Sequence, residues 1–386
     1  MFQCNVTRTK IRICFLTSVV LLLIFLFLVS DELISRIRSP TVRSCVLCPF
    51  KNNASLNKAE FLHFTILSDN SHEEPINVML SFVHANRNVR LKNNFNRCIS
   101  SLLMHSSVHL HLHILTDDSS VNDAINMLEN AAPLAKTATQ VSLYDVNIFV
   151  KPLQDLIHTI RPYFSVKQGA YYSDELFYVS IALYKIINLK YLIMLDIDVK
   201  ILNDIKYLFN EFTKFSNKAL IGMAREQQPV YRHILSEYRK LHNDSRIGGP
   251  PPNGSSGFNS GVLLLHLQKI GNSSLYKNIV DNSTYIQNLV EKYKFKGHLG
   301  DQDFYTLISL EYPEIFHEIP CTWNRQLCEW WRHHGYSKVF DFYHNCTGKI
   351  NLLHGNCNSL MPESKSKFYL YITLVRQLTG KVIVKK

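Results

Sequence analysis

The sequence predicts an α/β domain with a doubly wound sheet, carried behind an N-terminal membrane anchor. From Pro75 onward, short apolar segments alternate with amphipathic ones, which is the pattern of strand–helix–strand units. One earlier apolar run, Ile13–Val29, is long enough to enter a membrane. The 386 residues are 46% hydrophobic and 19% charged, so the composition is that of a globular protein with a sizeable core.

The first thirty residues predict the cellular compartment. Basic residues at positions 8, 10 and 12 precede the 17-residue apolar run. That run reaches about 26 Å as a helix, which suits a thin bilayer such as that of the endoplasmic reticulum or early Golgi. The basic flank should stay cytosolic and send the rest of the chain into the lumen. The alternative is a cleaved signal peptide, but no Ala-x-Ala site follows Val29.

We therefore expect a single-pass type II protein of the endoplasmic reticulum membrane, with the Golgi as the alternative location. The expected organisation is a cytosolic tail (1–12), a signal anchor (13–29), a lumenal stem (30–74) and one catalytic domain (75–386).

Sequons and cysteines agree with a lumenal body. Four cysteines fall close together near the C-terminus, where an oxidising lumen favours two disulfides, and four cysteines allow three pairings. These candidates are Cys321, Cys328, Cys346 and Cys357. Acceptor sequons occur at Asn53, Asn243, Asn253, Asn272, Asn282 and Asn345.

The charge balance narrows the class of partner. With 42 Lys+Arg against 31 Asp+Glu, the net charge is +11, which favours acidic partners such as phosphorylated ligands or membrane headgroups. No basic helix, zinc finger or RNP-type aromatic run accompanies it, so we expect no nucleic-acid partner.

The alternating pattern assigns strands and helices in order along the chain. The expected strands are Ile76–Val83, Val108–Leu115, Gln140–Val146, Tyr191–Leu195, Ala219–Ala224, Gly261–Leu267 and Ile350–Leu353. The expected helices are Phe95–Met104, Val121–Ala135, Asp174–Ile187 and Phe304–Leu310. In such a sheet, ligands bind outside the carboxyl ends of the strands.

Asp196 and Asp198 follow a fully apolar strand. Residues i and i+2 of extended backbone point the same way, so both carboxylates should converge at the carboxyl end of that strand. Paired carboxylates suit a divalent cation that bridges a diphosphate. His354, after another apolar strand, offers a third ligand, and an imidazole favours Mn²⁺ over Mg²⁺.

Two glycine-containing segments are candidates for a ligand pocket. Gly257–Gly261 combines glycines, which let backbone approach a ligand, with Asn259 and Ser260, which can hydrogen-bond sugar hydroxyls. Gly297–Asp303 opens a helix, and there Asp301 is either the helix N-cap or, with Gln302, a sugar ligand.

Two further clusters have competing interpretations. His109, His111 and His113 share one face of a strand, but no fourth zinc ligand lies at local spacing. Tryptophans 323, 330 and 331 lie between cysteines and either stack on an acceptor sugar or pack under the loop.

Four motifs in this order resemble the glycogenin-like retaining glycosyltransferases: Asp196–Asp198, Gly257–Gly261, Gly300–Gln302 and His354–Asn356. The resemblance covers most of residues 75–360 and implies a GT-A fold, a single Rossmann-like domain with a mixed, mostly parallel sheet. Gly297–Phe304, Cys321–Trp331 and His354–Cys357 resemble more closely the members that add the outer xylose to O-glucose glycans on EGF repeats.

The resemblance implies UDP-xylose as donor, Mn²⁺ as cofactor, retention at the anomeric carbon and α-1,3 transfer to the xylose of a xylosyl-glucose on EGF repeats of Notch-type proteins. It implies Asp196, Asp198 and His354 as metal ligands, and Asn259, Asp301 and Gln302 as catalytic residues that address the donor sugar. The implied nucleotide-sugar contacts are Phe82, Val83, His84, Ala85, Thr116, Asp196, Ile197, Ser260, Gly355 and Asn356. The implied acceptor contacts are Trp323, Asn324 and Trp331.

One departure from the family concerns the diphosphate. Many relatives hold it with the lysine of a His-Gly-x-x-Lys motif, whereas this chain has Ser359 or its neighbours at that position.

The alternatives to xylosyl transfer are a glucosyl- or galactosyltransferase of the same fold and a lumenal protein that binds glycans without catalysis. A metal-dependent phosphohydrolase would need further carboxylates near residue 196.

Overall fold

The computed structural model describes residues 60–66, 74–165, 174–242 and 246–362. The predicted anchor at 13–29 lies outside these ranges. Within them, no helix is both long and apolar enough to cross a membrane.

The described chain alternates strands and helices, as the sequence predicts. The strands are β1 (Glu60–Ile66), β2 (Ile76–Phe82), β3 (Leu110–Thr116), β4 (Thr139–Asp145), β5 (Leu192–Leu195), β6 (Val199–Ile201), β7 (Ile221–Arg225), β8 (Phe258–Leu265), β9 (Phe316–Glu318), β10 (Arg325–Gln326) and β11 (Leu352–His354). The first helices are α1 (Val89–His105), α2 (Val121–Ala131), α3 (Val146–Val150), α4 (Gln154–Phe164), α5 (Val179–Ala182) and α6 (Ile205–Phe209). The later helices are α7 (Val230–Ile234), α8 (Ser236–Leu241), α9 (Leu267–Asn272), α10 (Ser274–Asp281), α11 (Ser283–Lys292), α12 (Asp301–Ser309) and α13 (Ser337–His344).

The main sheet is mixed and mostly parallel, which confirms the predicted α/β class. Its strand order is β1-β4-β3-β2-β5-β8-β7-β9. The β2, β3, β4 and β5 pairings and the β7–β9 pairing are parallel, whereas β1 and β8 run antiparallel to their neighbours. A second, three-stranded sheet has the order β10-β11-β6.

Both faces of the main sheet are covered, because successive side chains of a strand point to opposite sides. On β2, Met79 belongs to one buried apolar cluster while Val78 and Leu80 belong to the other. Helix α1 packs on the second of these faces through Phe95, Ile99 and other residues that are fully buried.

The folded part of the chain begins before residue 75. Strand β1 lies inside the segment expected to be a stem, and it pairs antiparallel with β4 at the edge of the sheet. Its alternating polar and apolar side chains fit an edge strand, whereas the neighbouring Asn, Ser and Lys clusters favoured a stem.

The four predicted helices differ from the observed ones in their bounds, and α1 begins at Val89 rather than Phe95. Helix α2 ends at Ala131 and continues as a 3-10 turn at Ala132–Leu134, where Pro133 cannot supply the next helical hydrogen bond. The predicted helix 174–187 is broken into 3-10 turns around α5, since tertiary burial of Tyr178–Leu183 overrides the local pattern. Helix α12 begins earlier than predicted, at Asp301.

Two disulfides join the four predicted cysteines. Cys321 pairs with Cys346, and Cys328 pairs with Cys357. Cys346 precedes strand β11 in the sequence and Cys357 follows it, so the two bonds fasten both ends of this strand of the small sheet. Cys98 is buried as a free thiol.

Candidate active site

The candidate site lies at one edge of the main sheet. Strands β2, β3 and β5 are parallel, so their carboxyl ends bring His84, Asp117 and Asp196 to this edge. Strand β8 runs in the opposite direction, so its amino end, with Asn259, lies at the same edge. This agrees with the expected position of a ligand in an open α/β sheet.

Asp196 and Asp198 occupy the turn that leads from the main sheet to the small sheet. The backbone N–H of Asp196 still bonds to the Gly261 carbonyl at 3.0 Å, and β6 starts directly after Asp198. The side chain of Asp196 is 57% exposed and that of Asp198 is 27% exposed. The first carboxylate therefore faces solvent, while the second is partly enclosed.

His354 completes the group from a distant part of the sequence. It is the last residue of β11, and antiparallel pairing with β6 sets it opposite Val199. Its Nε2 lies 3.5 Å from Asp196 Oδ2 and 3.3 Å from Asp198 Oδ1. One ligand atom from each of the three residues lies within 4.8 Å of the others. Two carboxylates and one imidazole fit a divalent transition metal, and among the described residues this is the one such cluster.

The electrostatics of the cluster favour a bound positive charge. Burial opposes protonation of His354, but the carboxylates of Asp198 and Asp196 outweigh it and raise the imidazole pKa to about 10. Burial likewise opposes ionisation of Asp198, yet its partner His354 holds the carboxyl pKa below its usual value. The three side chains thus attract a cation to the point where they meet.

Gly261 makes room for the histidine. A Cβ at this position would lie 2.2 Å from His354 Cε1 and 2.6 Å from Nδ1. Because β8 passes directly behind the imidazole, only a glycine allows the ring to reach the carboxylates. The second glycine of the predicted Gly257–Gly261 motif is therefore explained by its packing against the His354 ring.

A buried polar pocket adjoins the cluster. Asn259 and Gln302, both predicted to address a sugar, donate their amide hydrogens to Glu226 Oε2 at 3.1 and 3.3 Å. The Gln302 amide oxygen accepts the backbone N–H of Ser260 at 3.3 Å. The structure thus brings β7, β8 and α12 together around one carboxylate.

Glu226 is a pocket residue that the sequence analysis missed. Burial raises its pKa to about 7, even though Asn259 and Gln302 favour the ionised form. Its second oxygen, Oε1, has no hydrogen-bond partner among the described residues. A buried oxygen without a partner is costly, so a ligand hydroxyl is a suitable partner for it. Its place beside Asn259 follows from the β7–β8 pairing, which local sequence does not reveal.

Asp301 is not the N-cap of α12. That position belongs to Gly300, whose φ of +64° favours glycine. The Asp301 carboxylate instead accepts a 2.5 Å hydrogen bond from Ser180, which in turn accepts one from Tyr305. Burial raises the Asp301 pKa to about 7. Its carboxylate lies inside the protein and next to Gln302, rather than at a helix end in solvent.

The predicted nucleotide contacts lie at the ends of β2 and β3. Phe82, Val83 and Ala85 are buried, whereas His84 is exposed and has a φ of +56°. The His84 backbone N–H donates to Asp117 Oδ2 at 2.6 Å. Asp117 is a second residue that the sequence analysis did not assign to the site.

Thr116, at the end of β3, is fully buried, and its hydroxyl has no hydrogen-bond partner within the described ranges. Such a hydroxyl at the ligand edge is compatible with the predicted nucleotide contact.

The remaining predicted contacts surround the metal cluster. Ile197 is half-buried between the two aspartates, and the backbone N–H of Gly355 bonds to the Asp198 carbonyl at 2.8 Å. The side-chain oxygen of Asn356 accepts the backbone N–H groups of Leu327 and Cys328 at 3.1 and 3.0 Å. Asn356 therefore fastens the small sheet to its loop.

Two of the three predicted acceptor contacts, Trp323 and Asn324, are buried in the structure. Trp323 is buried in the core, so its ring does not face solvent. Asn324 is also fully buried, and its side chain contacts His354 and Asn259. Trp331 is half-buried, and Trp330 beside it is 50% exposed and stacks on His334. The positions of the three tryptophans in the sequence do not reveal which ring is buried, since burial depends on how the disulfide-bonded loop folds.

The histidines of β3 form polar contacts within the sheet. His111 bonds to Ser142 at 3.0 Å, and His113 bonds to Tyr144 and Asn77 at 3.1 and 3.0 Å. Burial lowers the pKa of both imidazoles, to about 4 for His111. These partners explain the histidines without a metal.

The chain matches a family model described as glycosyl transferase family 8 over residues 94–356, which contain the metal cluster and the polar pocket. The chain belongs to glycosyl transferase family 8. This agrees with the resemblance seen in the motifs, and it makes the protein an enzyme that transfers a sugar.

Two xyloside xylosyltransferases and one solved structure are closely similar to this chain. Xyloside xylosyltransferase 1 of Mus musculus is 42% identical over 293 residues, which cover 74% of each chain. The protein of the same name from Homo sapiens is 41% identical over 293 residues, again 74% of each chain. The crystal structure of mouse xyloside xylosyltransferase 1 in its apo form has a TM-score of 0.70 and 40% identity, covering 75% of this chain and all of that one.

Proposed function

We propose that this family 8 enzyme transfers xylose from UDP-xylose, with retention, in α-1,3 linkage to the xylose of a xylosyl-glucose glycan on EGF repeats. The observation that carries this proposal is the complete Asp196, Asp198 and His354 cluster beside the buried, hydrogen-bonded side chains of Glu226, Asn259 and Gln302. The similarity to two xyloside xylosyltransferases supports xylose as the donor sugar. We further propose Mn²⁺ as the metal and the lumen of the endoplasmic reticulum as the location, with an N-terminal type II anchor.

The donor set fits the proposed metal. His354 Nε2 and two carboxylate oxygens converge, while the other ring nitrogen, Nδ1, is engaged by Asn324 at 2.9 Å. A divalent cation bound there would offset the negative charge of the departing diphosphate. The protein supplies the ligands and their orientation, which the two sheets hold in place.

In the proposed reaction, the bond between the anomeric carbon and the diphosphate oxygen breaks, and its electron pair leaves with UDP. The acceptor 3-hydroxyl forms a new bond to that carbon on the same face, and its proton passes to the departing diphosphate. Gln302 and Asn259 orient the sugar, since Glu226 fixes both amides. Asp301 is held by Ser180 and stays a structural neighbour rather than a nucleophile.

Arg90 is our candidate for the cation that replaces the family lysine. Its guanidinium donates to the backbone carbonyl of Asn358, in the loop where that lysine would stand. Burial raises the pKa of Asp198, while His354 and, less strongly, Arg90 lower it, so the guanidinium charge is felt at the metal cluster. A guanidinium in this position is suited to a phosphate oxygen.

The Arg90 assignment is tested by comparing UDP with uridine. Arg90→Ala should weaken UDP binding about 10-fold and leave uridine binding unchanged, and Arg90→Lys should restore part of the loss. Arg97→Ala is the matched control, because Arg97 lies on the same helix and bonds to Asn94. An equal loss for UDP and uridine would show that Arg90 only fastens the loop.

The proposed function is tested with a donor screen on an EGF-repeat peptide that carries xylosyl-glucose. We expect UDP-xylose with Mn²⁺ to add one pentose by mass, and chelation or Asp198→Asn to abolish it without unfolding the protein. Addition of a hexose instead would favour a glucosyl- or galactosyltransferase. Glycan binding without any transfer from a UDP-sugar would favour a non-catalytic protein.

A further inference from the structure

Asn324 is a fully buried side chain between the metal cluster and the sugar pocket. It follows the short 3-10 helix Cys321–Trp323, and its backbone carbonyl accepts a 2.7 Å hydrogen bond from Gln227. Its side-chain oxygen lies 2.9 Å from His354 Nδ1, and its side-chain nitrogen lies 2.9 Å from Asn259 Oδ1. One amide group thus contacts a metal ligand on one side and a sugar-pocket residue on the other.

The direction of these hydrogen bonds follows from groups whose polarity is fixed. The backbone N–H of Gly261 can only donate, and it points at Asn259 Oδ1 across 3.1 Å. At the other end of that amide, Asn259 Nδ2 donates to the Glu226 carboxylate. Asn259 therefore presents an oxygen toward Asn324, so Asn324 must present its NH₂ group in return.

The orientation of the Asn324 amide determines which ring nitrogen of His354 carries a hydrogen. With its NH₂ group turned toward Asn259, Asn324 offers its oxygen to His354, and that oxygen needs a donor. Nδ1 of His354 must then carry a hydrogen, which in a neutral ring leaves the lone pair on Nε2. Nε2 is the nitrogen that faces both aspartates. The backbone of β8 thus specifies which nitrogen of His354 can bind a cation.

We propose that Asn324 is a positioning residue that presents Nε2 of His354 to the metal and links metal binding to the sugar pocket through Asn259. The proposal rests on the metal site of the proposed function. The two disulfides support this role, because Cys321 and Cys328 enclose Asn324 and bond to Cys346 and Cys357. Partners that orient a metal-bound histidine typically affect metal affinity or activity by about 10- to 100-fold.

Two substitutions separate the contacts of Asn324. Asn324→Ala removes both, so Mn²⁺ affinity and turnover should each fall about 10- to 100-fold. Asn324→Asp keeps an acceptor for Nδ1–H but sets an oxygen against Asn259 Oδ1. It should keep Mn²⁺ affinity within about 3-fold while kcat falls at least about 10-fold.

The control is Asn351→Ala. Asn351 bonds to Thr322 in the same 3-10 helix at 3.1 Å without a contact to His354, so Mn²⁺ affinity should stay unchanged. Mn²⁺ binding is measured by calorimetry without sugar, and turnover separately with UDP-xylose. Wild-type Mn²⁺ affinity and turnover in Asn324→Ala would overturn the proposal, as would a parallel loss of both in Asn324→Asp.

If the variants do not fold, the proposal can still be tested by a measurement on the wild-type protein. In the Mg²⁺-loaded protein, ¹⁵N shifts of the His354 ring should show a hydrogen on Nδ1 and none on Nε2. The opposite pattern would overturn the assignment. Failure of the proposed metal site itself has a different signature, since the wild-type protein would then bind Mn²⁺ no more tightly than Asp198→Asn does.

Discussion

The carboxylate of Glu226 accepts a hydrogen bond from the side-chain amide of Asn259 across 3.1 Å, in the interior of the protein. Gln302 donates to the same oxygen. One buried carboxylate thus sets the orientation of the two amides that the motifs assign to the donor sugar.

Glu226→Gln should lower kcat/KM by about 10-fold or more. A glutamine can keep one oxygen where Asn259 and Gln302 both donate, but it puts an NH₂ group in place of Oε1 and removes the negative charge. The acceptor offered to a ligand hydroxyl is then lost. Steady-state kinetics with UDP-xylose measures the effect. Glu211→Gln is the control, because Glu211 is also buried but pairs with Lys214 and His317, away from the pocket. Equal activity in both variants would contradict the assignment.

Gly261→Ala should remove metal activation. The new methyl group would meet the His354 ring at 2.2 Å, so the ring must leave the carboxylates or β8 must shift. Mn²⁺ binding by calorimetry should weaken at least about 10-fold. Gly271→Ala is the matched control, since the nearest atom there is 3.8 Å away. Unchanged Mn²⁺ binding in Gly261→Ala would mean that the imidazole is not a ligand.

Loss of either disulfide should destabilise the fold by about 3 to 4 kcal/mol, since each closes a loop of 25 or 29 residues. The paired substitutions are Cys321→Ser with Cys346→Ser, and Cys328→Ser with Cys357→Ser. Denaturant unfolding measures the free energy of each. Unaltered denaturation midpoints would indicate that the bonds do not stabilise this region.

Asp303 should make the protein less stable as the pH rises. Burial raises its folded pKa to about 7, although Leu299 and Tyr231 donate hydrogen bonds to it. The unfolded pKa is about 4, so between these values the unfolded chain releases a proton that the folded chain retains. The free energy of unfolding then falls by about 1.4 kcal/mol per pH unit from this group.

Asp303→Asn tests that contribution. Urea unfolding of both proteins from about pH 5 to pH 7 should give a difference in stability that changes with pH, because the amide does not titrate. Lost hydrogen bonds add only a constant offset. Two curves that run parallel would show that Asp303 keeps an ordinary pKa.

The sequence predicted those site residues that directly follow or end an apolar strand. A fully apolar strand followed by Asp196 and Asp198 indicates the ligand edge of a sheet, and the structure places both residues there. His354 was also found, because it ends another apolar strand. In each case the strand and its functional residue are adjacent in the sequence.

The parts of the site that were not predicted depend on long-range pairing. Glu226, which the sequence analysis missed, lies beside Asn259 because β7 pairs with β8. Asn324 was predicted only as an acceptor contact, and it contacts His354 because β10 pairs with β11. Neither pairing leaves a periodic signal in the sequence. The burial of Trp323, a predicted acceptor contact, likewise depends on packing against residues far along the chain.

The position of β11 has a consequence for biosynthesis. The carboxylates of Asp196 and Asp198 leave the ribosome well before His354 and the cysteines that bond around it. A growing chain can therefore form β2, β3 and β5 while its metal-binding set is still incomplete. A chain that stops before β11 would lack His354, and with it one of the three side chains of the candidate metal cluster.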